Sequence, residues 1–166
     1  MKVNREALLL ALQAVSPGLS PKDKIEQSSC FVFTGNEVIT FNDDVACRIT
    51  VNMPEGLTGA VKAEEMLELL EKRQDEELEA SFTDTLLLFK GPYGKSGLVM
   101  EAEIQLPIES LEKPEDWKEL DESFPDAIGM VASCAGSDES EFHLTCVHLH
   151  PKWVEACDGF QMCRWR

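Results

Sequence analysis

The stretch Cys146–Arg166, CVHLHPKWVEACDGFQMCRWR, admits two readings. Three cysteines and two histidines in so short a space suggest a zinc nest. Cys146, His148 and His150 would alternate on one strand face, with Cys157 or Cys163 reaching across a hairpin. The same residues also read as a hairpin turning at His150-Pro151, followed by a third strand begun by FQMCRW. Strand alternation aligns any i, i+2 trio, and no CxxC or HxxxH pair frames this one. A bound metal is therefore not expected, and a small zinc-binding protein stands as the third reading of the chain.

The decisive observation lies upstream. Cys146 stands 116 residues after Cys30, and the same shift carries Glu6 onto Glu122, Ala11 onto Ala127, Val15 onto Val131, Val38 onto Val154, Cys47 onto Cys163 and Arg48 onto Arg164 without a gap. Conservative matches fill the spaces: Leu12 with Ile128, Phe33 with Leu149, Asn42 with Asp158. A repeat of this kind means one supersecondary unit used more than once. The repeat also accounts for Cys146 and Cys163, because Cys30 and Cys47 have no histidines nearby.

Each copy carries the same pattern. NREALLLALQAV places Ala7, Leu8, Ala11, Leu12 and Val15 on one helical stripe. Asn4 is the expected N-cap and Pro17-Gly18 the stop. SCFVFTGNEVITF is a hairpin around Gly35-Asn36, and ACRITVNM a third strand. In the later copy ESFPDAIGMVASCAG is the helix, with Phe124, Ile128 and Val131 inward and Ser123 capping before Pro125. FHLTCVHLHPKWVEAC is its hairpin. A looser version lies between them: KAEEMLELLEKRQ as helix with Met66, Leu69 and Leu70 inward, EELEASFTDTLLLFKG as hairpin turning at Thr83-Asp84, and SGLVMEAEI as strand. The chain thus reads as helix–three strands, three times, an α+β class with helices on one face and antiparallel sheets on the other. The first two units are expected to pack sheet to sheet as a complete domain over 1–116. The third, 117–166, is half of a second domain with an open edge, after a polar linker at Glu112–Asp121.

The bulk composition narrows function. There are 31 acidic and 15 basic residues, a formal charge of -16. A surface built to grip phosphates everywhere would not look like this. The longest apolar run, ALLLALQAV, is too short to span a membrane. MKVNREALL has charged residues where a signal peptide would be apolar, so a cytoplasmic protein is expected. The six cysteines are read as buried free thiols. No GxSxG, P-loop, HExxH or GxGxxG is present, and the three histidines crowd into one hairpin, so no enzyme and no cofactor is expected.

The motifs, taken in order, resemble the processivity clamp of bacterial and phage replicases, the β subunit of DNA polymerase III, over its N-terminal half. REALLLALQAVSPGLS is similar to that family's first helix and its exit. FNDDVACRI stands where the family has its TDLE strand turn, GAVKAEEMLELL resembles VPARKFFDI, and ACDGFQMCRW resembles ATDGHRLA. The phrasing of SPGLS, EQSSC and CVHLHPKWVEACD leans toward a phage-like branch.

The resemblance implies a DNA-clamp fold and a non-catalytic ring around duplex DNA, held by topology rather than by tight phosphate contacts, with a replicative polymerase and a clamp loader as partners. It implies DNA contacts at Lys22 and Lys24 in the exit loop of the first helix and at Lys62 before the second. It also implies part of a partner-peptide pocket at Leu144, Cys157, Gly159, Phe160, Gln161 and Met162. The sequence departs from the family where Glu64 and Glu65 replace a DNA-facing basic pair, and where the third helix opens with Asp121 and Glu122. A closed ring of twelve such units would need four chains of three, so a homo-oligomer is expected. The alternative is a stand-alone clamp-fold interaction module that forms no ring.

Overall fold

The computed structural model describes residues 1–20, 25–108, 116 and 118–166, and the chain divides into two units, Met1–Lys113 and Pro114–Arg166. The first unit opens with a short strand, β1 (Lys2–Asn4), that runs straight into helix α1 (Arg5–Val15). Asn4 stays extended and its Oδ1 accepts the Ala7 amide at 2.8 Å, satisfying one of the helix's orphan donors. Leu8, Leu12 and Val15 are buried and Ala11 half-buried, while Ala7 lies outside the stripe and is exposed. A 3-10 turn at Ser16–Gly18 ends the helix, where Pro17 cannot continue the α ladder.

The remaining elements are β2 (Cys30–Thr34), β3 (Glu37–Phe41), β4 (Ala46–Thr50), β5 (Thr58–Lys62), α2 (Ala63–Lys72), β6 (Glu77–Phe82), β7 (Leu86–Gly91) and β8 (Gly94–Glu101). They form one eight-stranded sheet in the order β1-β6-β7-β8-β5-β2-β3-β4. All its pairings are antiparallel. The unit is therefore strand–helix–three strands, twice. The lead strands β1 and β5 were not expected from the sequence, and they change the architecture. The halves are not packed sheet to sheet: they are joined edge to edge by a reciprocal exchange. β1 of the first half pairs with β6 of the second, and β5 of the second pairs with β2 of the first. Arg5 reinforces the junction, donating from Nε to the Asp75 carbonyl and from Nη1 to that of Leu70, at the end of α2.

Both helices pack on one face of this sheet. Leu8, Leu12, Met66 and Leu70 meet Phe31, Phe33, Leu78, Leu87 and Phe89 in a single core. Each such buried side chain contributes on the order of 1.5–3 kcal/mol before entropy is counted. The opposite face of β2 is covered too: Cys30 and Val32 join Ile39, Ala60 and Leu106 in a second cluster. Gln27, at φ +63°, ties the segment covering that face. Its Nε2 donates to Glu101 Oε2 and the Glu103 carbonyl, and its Oε1 accepts the amides of Gln105 and Leu106.

The second unit holds α3 (Phe124–Ala132), β9 (His148–His150), β10 (Trp153–Cys157) and β11 (Met162–Trp165), with strand order β11-β10-β9. Ala127, Val131, Val154 and Ala156 form its core. The 116-residue repeat holds pair by pair. Phe33↔Val38 becomes Leu149↔Val154, Val38↔Ile49 becomes Val154↔Trp165, and Phe41↔Ala46 becomes Cys157↔Met162. The loops follow the same register. Ser20 N donates to Ser28 O as Gly136 N does to Leu144 O, and the Asn42 turn recurs at Asp158.

Three expectations for this unit are corrected. The first hairpin strand does not start at Phe142, because Glu139–Leu144 forms two short 3-10 turns kinked at Glu141, the first begun where Asp138 Oδ1 accepts the Ser140 amide. Ser123 does not cap α3: its hydroxyl donates to Asp121 Oδ1 at 2.6 Å instead. The cysteines are not uniformly buried, since Cys146 is exposed and only Cys30 is fully enclosed. Of the expected linker, Glu112–Pro114, Glu115 and Trp117 lie outside the described residues, and Lys118–Asp121 is irregular.

Candidate functional site

Lys22 and Lys24 lie outside the described residues. Lys62 is exposed at the last position of β5, where the chain passes into α2, and its Nζ donates to Ser29 Oγ at 2.8 Å. The helix that follows presents Glu64, Glu65, Glu68 and Glu71 to solvent, with Lys72 paired to Glu68. Acidic residues in the first turn suit the positive end of the helix dipole. They also give this face a field that repels phosphate.

The six peptide-pocket residues fall at the end of the 3-10 segment, where Leu144 lies, and along the β10–β11 connection with its flanking strand ends. Cys157 ends β10 and pairs with Met162 at the start of β11. Asp158 closes the turn between them: its Oδ1 accepts the amides of Phe160 at 2.9 Å and Gln161 at 2.8 Å, and its own N–H donates to Gln161 O. These donors hold the Asp158 carboxyl below its ordinary range, the Gln161 amide first. Gly159 supplies φ +89°, and a Cβ there would stand 4.0 Å from Leu144 Cδ1. The structure thus brings Leu144 against the turn. It leaves Phe160 99% and Met162 61% exposed, so these residues form an open apolar shelf rather than a closed pocket.

The histidines of the opening stretch are engaged otherwise. His148 Nδ1 lies 2.9 Å from Glu155 Oε1, and Arg164 holds the other carboxylate oxygen. The Glu155 carboxyl is lowered by His148 first and Arg164 second. His150 stacks on Trp153 with ring centroids 3.4 Å apart. Cys146 lies before β9, its Sγ 3.4 Å from the Phe142 carbonyl. Among the described residues, no three His, Cys, Asp or Glu side chains converge as a metal site.

Sequence reasoning missed a groove of about 850 Å³ in the second unit, lined by Phe124, Ala127, Leu149, Val154 and Trp165 among others. The signal was the Phe33–Leu149 match, which places an apolar side chain on the helix side of the sheet. No helix of the described residues is long and apolar enough to cross a membrane.

No protein-family model and no curated protein matches the sequence. The fold does have counterparts among solved structures. The DNA polymerase sliding clamp of Bacillus subtilis aligns with TM-score 0.76 at 13% identity, over 98% of this chain and 48% of that one. The β subunit of DNA polymerase III from Thermotoga maritima gives 0.73 at 18%, and the β subunit from the DNA polymerase of Streptococcus pyogenes 0.72 at 16%, with the same coverage. The chain therefore spans about half the length of the clamps it resembles, and its fold is that of half a sliding-clamp subunit.

Proposed function

We propose that this chain is a non-catalytic, sliding-clamp-type processivity factor that encircles duplex DNA when its ring is complete, with a replicative polymerase and a clamp loader as partners. Residues 1–116 would be a whole clamp domain and 117–166 the first half of the next. The observation that carries this reading is the fold: 98% of the chain aligns with half of a bacterial clamp. Helices gathered on one face of an antiparallel sheet are compatible with the inner wall of a ring. The charge of -16 is compatible with a body that is threaded rather than one that grips, since strong phosphate neutralisation would stop it sliding. Lys22, Lys24 and Lys62 are proposed as the local DNA contacts, and Leu144, Cys157, Gly159, Phe160, Gln161 and Met162 as one wall of a site for partner peptides. The protein is proposed to act in the cytoplasm.

The test is retention on DNA of closed topology. The chain, loaded by its clamp loader, is expected to co-elute with nicked circular duplex and to be released when the circle is linearised. Equal behaviour on circular and linear DNA would sink the ring reading. One observation favours the alternative of an interaction module that forms no ring: α2 exposes Glu64, Glu65, Glu68 and Glu71 where an inner wall would benefit from cations. That reading gives no retention on either DNA form.

A further inference from the structure

We infer that residues 103–108 are a releasable strap, latched by Gln27, over an apolar floor that holds Cys30. β8 makes its last ladder pair at Glu101, opposite Ala60. Beyond that pair the segment joins no strand among the described residues. It lies instead on the sheet face opposite the helices. Leu106 is buried there with Cys30, Val32, Ile39 and Ala60, and Ile104 and Ile108 pack half-buried beside them. Gln27 supplies the polar hold. It is 4% exposed, its Oε1 accepts the amides of Gln105 at 2.8 Å and Leu106 at 3.3 Å, and its Nε2 donates to the Glu103 carbonyl at 2.8 Å.

The turn that carries the latch is strained. Gln27 sits at φ +63°, a region that disfavours any residue with a Cβ. Its neighbour Ser28 is 1% exposed, and the Ser28 Oγ has no hydrogen-bond partner among the described residues. A buried hydroxyl without a partner is destabilising. Both strains are relieved when the turn relaxes and water enters. The strap is thus held by the Gln27 bonds and by Ile104, Leu106 and Ile108 against local strain. The strands beneath it are held by ladders on both sides. A segment so attached opens below the free energy of global unfolding. Opening frees about 20 Å of chain when extended, at the point where the polypeptide leads from the first unit toward the second. The latch therefore sets how much chain joins the two units, whether or not the protein forms a ring.

The experiment reads the Cys30 thiol of the full chain with N-ethylmaleimide, resolved by peptide, at urea concentrations below the unfolding transition. Cys30 is 2% exposed and shares its cluster with Leu106. Cys47 on β4, half-buried and packed on the helix side of the same unit, is the control. The expected result is Cys30 labelling that depends only weakly on urea, as a local opening requires. Gln27→Ala is expected to speed it about tenfold or more, with Cys47 unchanged. In the unaltered chain the amides of Gln105 and Leu106 are expected to exchange through the same opening, ahead of those of β2. Cys30 labelling that carries the urea dependence of the far-UV transition overturns the releasable strap. Exchange of Gln105 and Leu106 only on global unfolding overturns it without any variant. A Gln27→Ala chain with an unchanged Cys30 rate, or with Cys47 equally accelerated, overturns the latch.

Discussion

Asn42 and Asp158 do the same work one repeat apart. Each closes a strand-to-strand turn by accepting two backbone amides on one side-chain oxygen, Asp44 and Val45 in the first case, Phe160 and Gln161 in the second. The residue that follows carries left-handed φ in both, Asp43 at +84° and Gly159 at +89°. Steric room at Gly159 is ample, so its substitution reports backbone conformation alone. Gly159→Val should destabilise the second unit by about 1–2 kcal/mol, and Gly159→Asn by less, because Asn tolerates this region as Asp43 does. Tryptophan fluorescence in urea checks this cleanly, since Trp117, Trp153 and Trp165 all belong to the second unit. Acid should act on the same unit. Asp121 and Asp138 are lowered from 3.8 by the hydroxyl and then the amide of Ser123 and Ser140, and Asp158 by its two amides. A carboxyl depressed in the folded state stabilises above its unfolded value and loses that contribution as pH falls through the folded one. Urea midpoints followed by tryptophan emission should therefore hold down to about pH 4 and decline below it, and Asp158→Asn should flatten the decline.

At the scale of elements, the strand–helix junctions decide whether two halves make one sheet. β5 can lie between β2 and β8 only because position 59 is glycine. Its φ is +146°, and a Cβ there would meet the Glu101 carbonyl at 2.7 Å. Gly59→Ala should cost on the order of 1–3 kcal/mol from conformation alone, read as a lowered urea midpoint by far-UV circular dichroism. The helices and hairpins were legible from the sequence because their signals are local: Asn4 before an apolar stripe, Gly35-Asn36 between alternating runs, Thr83-Asp84 at the next turn. The lead strands were not. Lys2–Asn4 is three residues long, and its ladder partner is β6, which no local periodicity points to. The 3-10 segment at Glu139–Leu144 was lost for the opposite reason: its Phe-His-Leu alternation imitates a strand, while Asp138 and local backbone bonds hold it coiled. The apolar shelf at Phe160 and Met162 was legible as a set of residues, but their exposure depends on what packs nearby.

At the scale of the molecule, the two units differ in how much they bury. The first shares one core from both halves, with Phe31, Phe33, Phe89, Leu12 and Leu70 fully enclosed, whereas the second rests on Ala127, Val131, Val154 and Ala156. A smaller core supports less stability. Denaturation should proceed in two steps, the tryptophan signal changing at lower urea than far-UV circular dichroism. Coincident transitions would contradict this. The reciprocal exchange of lead strands also has a consequence for synthesis. Lys2 meets Glu77 across 75 residues of chain. The amino-terminal strand thus leaves the ribosome well before its ladder partner exists, by about 4–15 s at 5–20 residues per second. During that interval the apolar side of α1 has no complete cover, and the newborn segment must be shielded or stay unfolded until the second hairpin arrives.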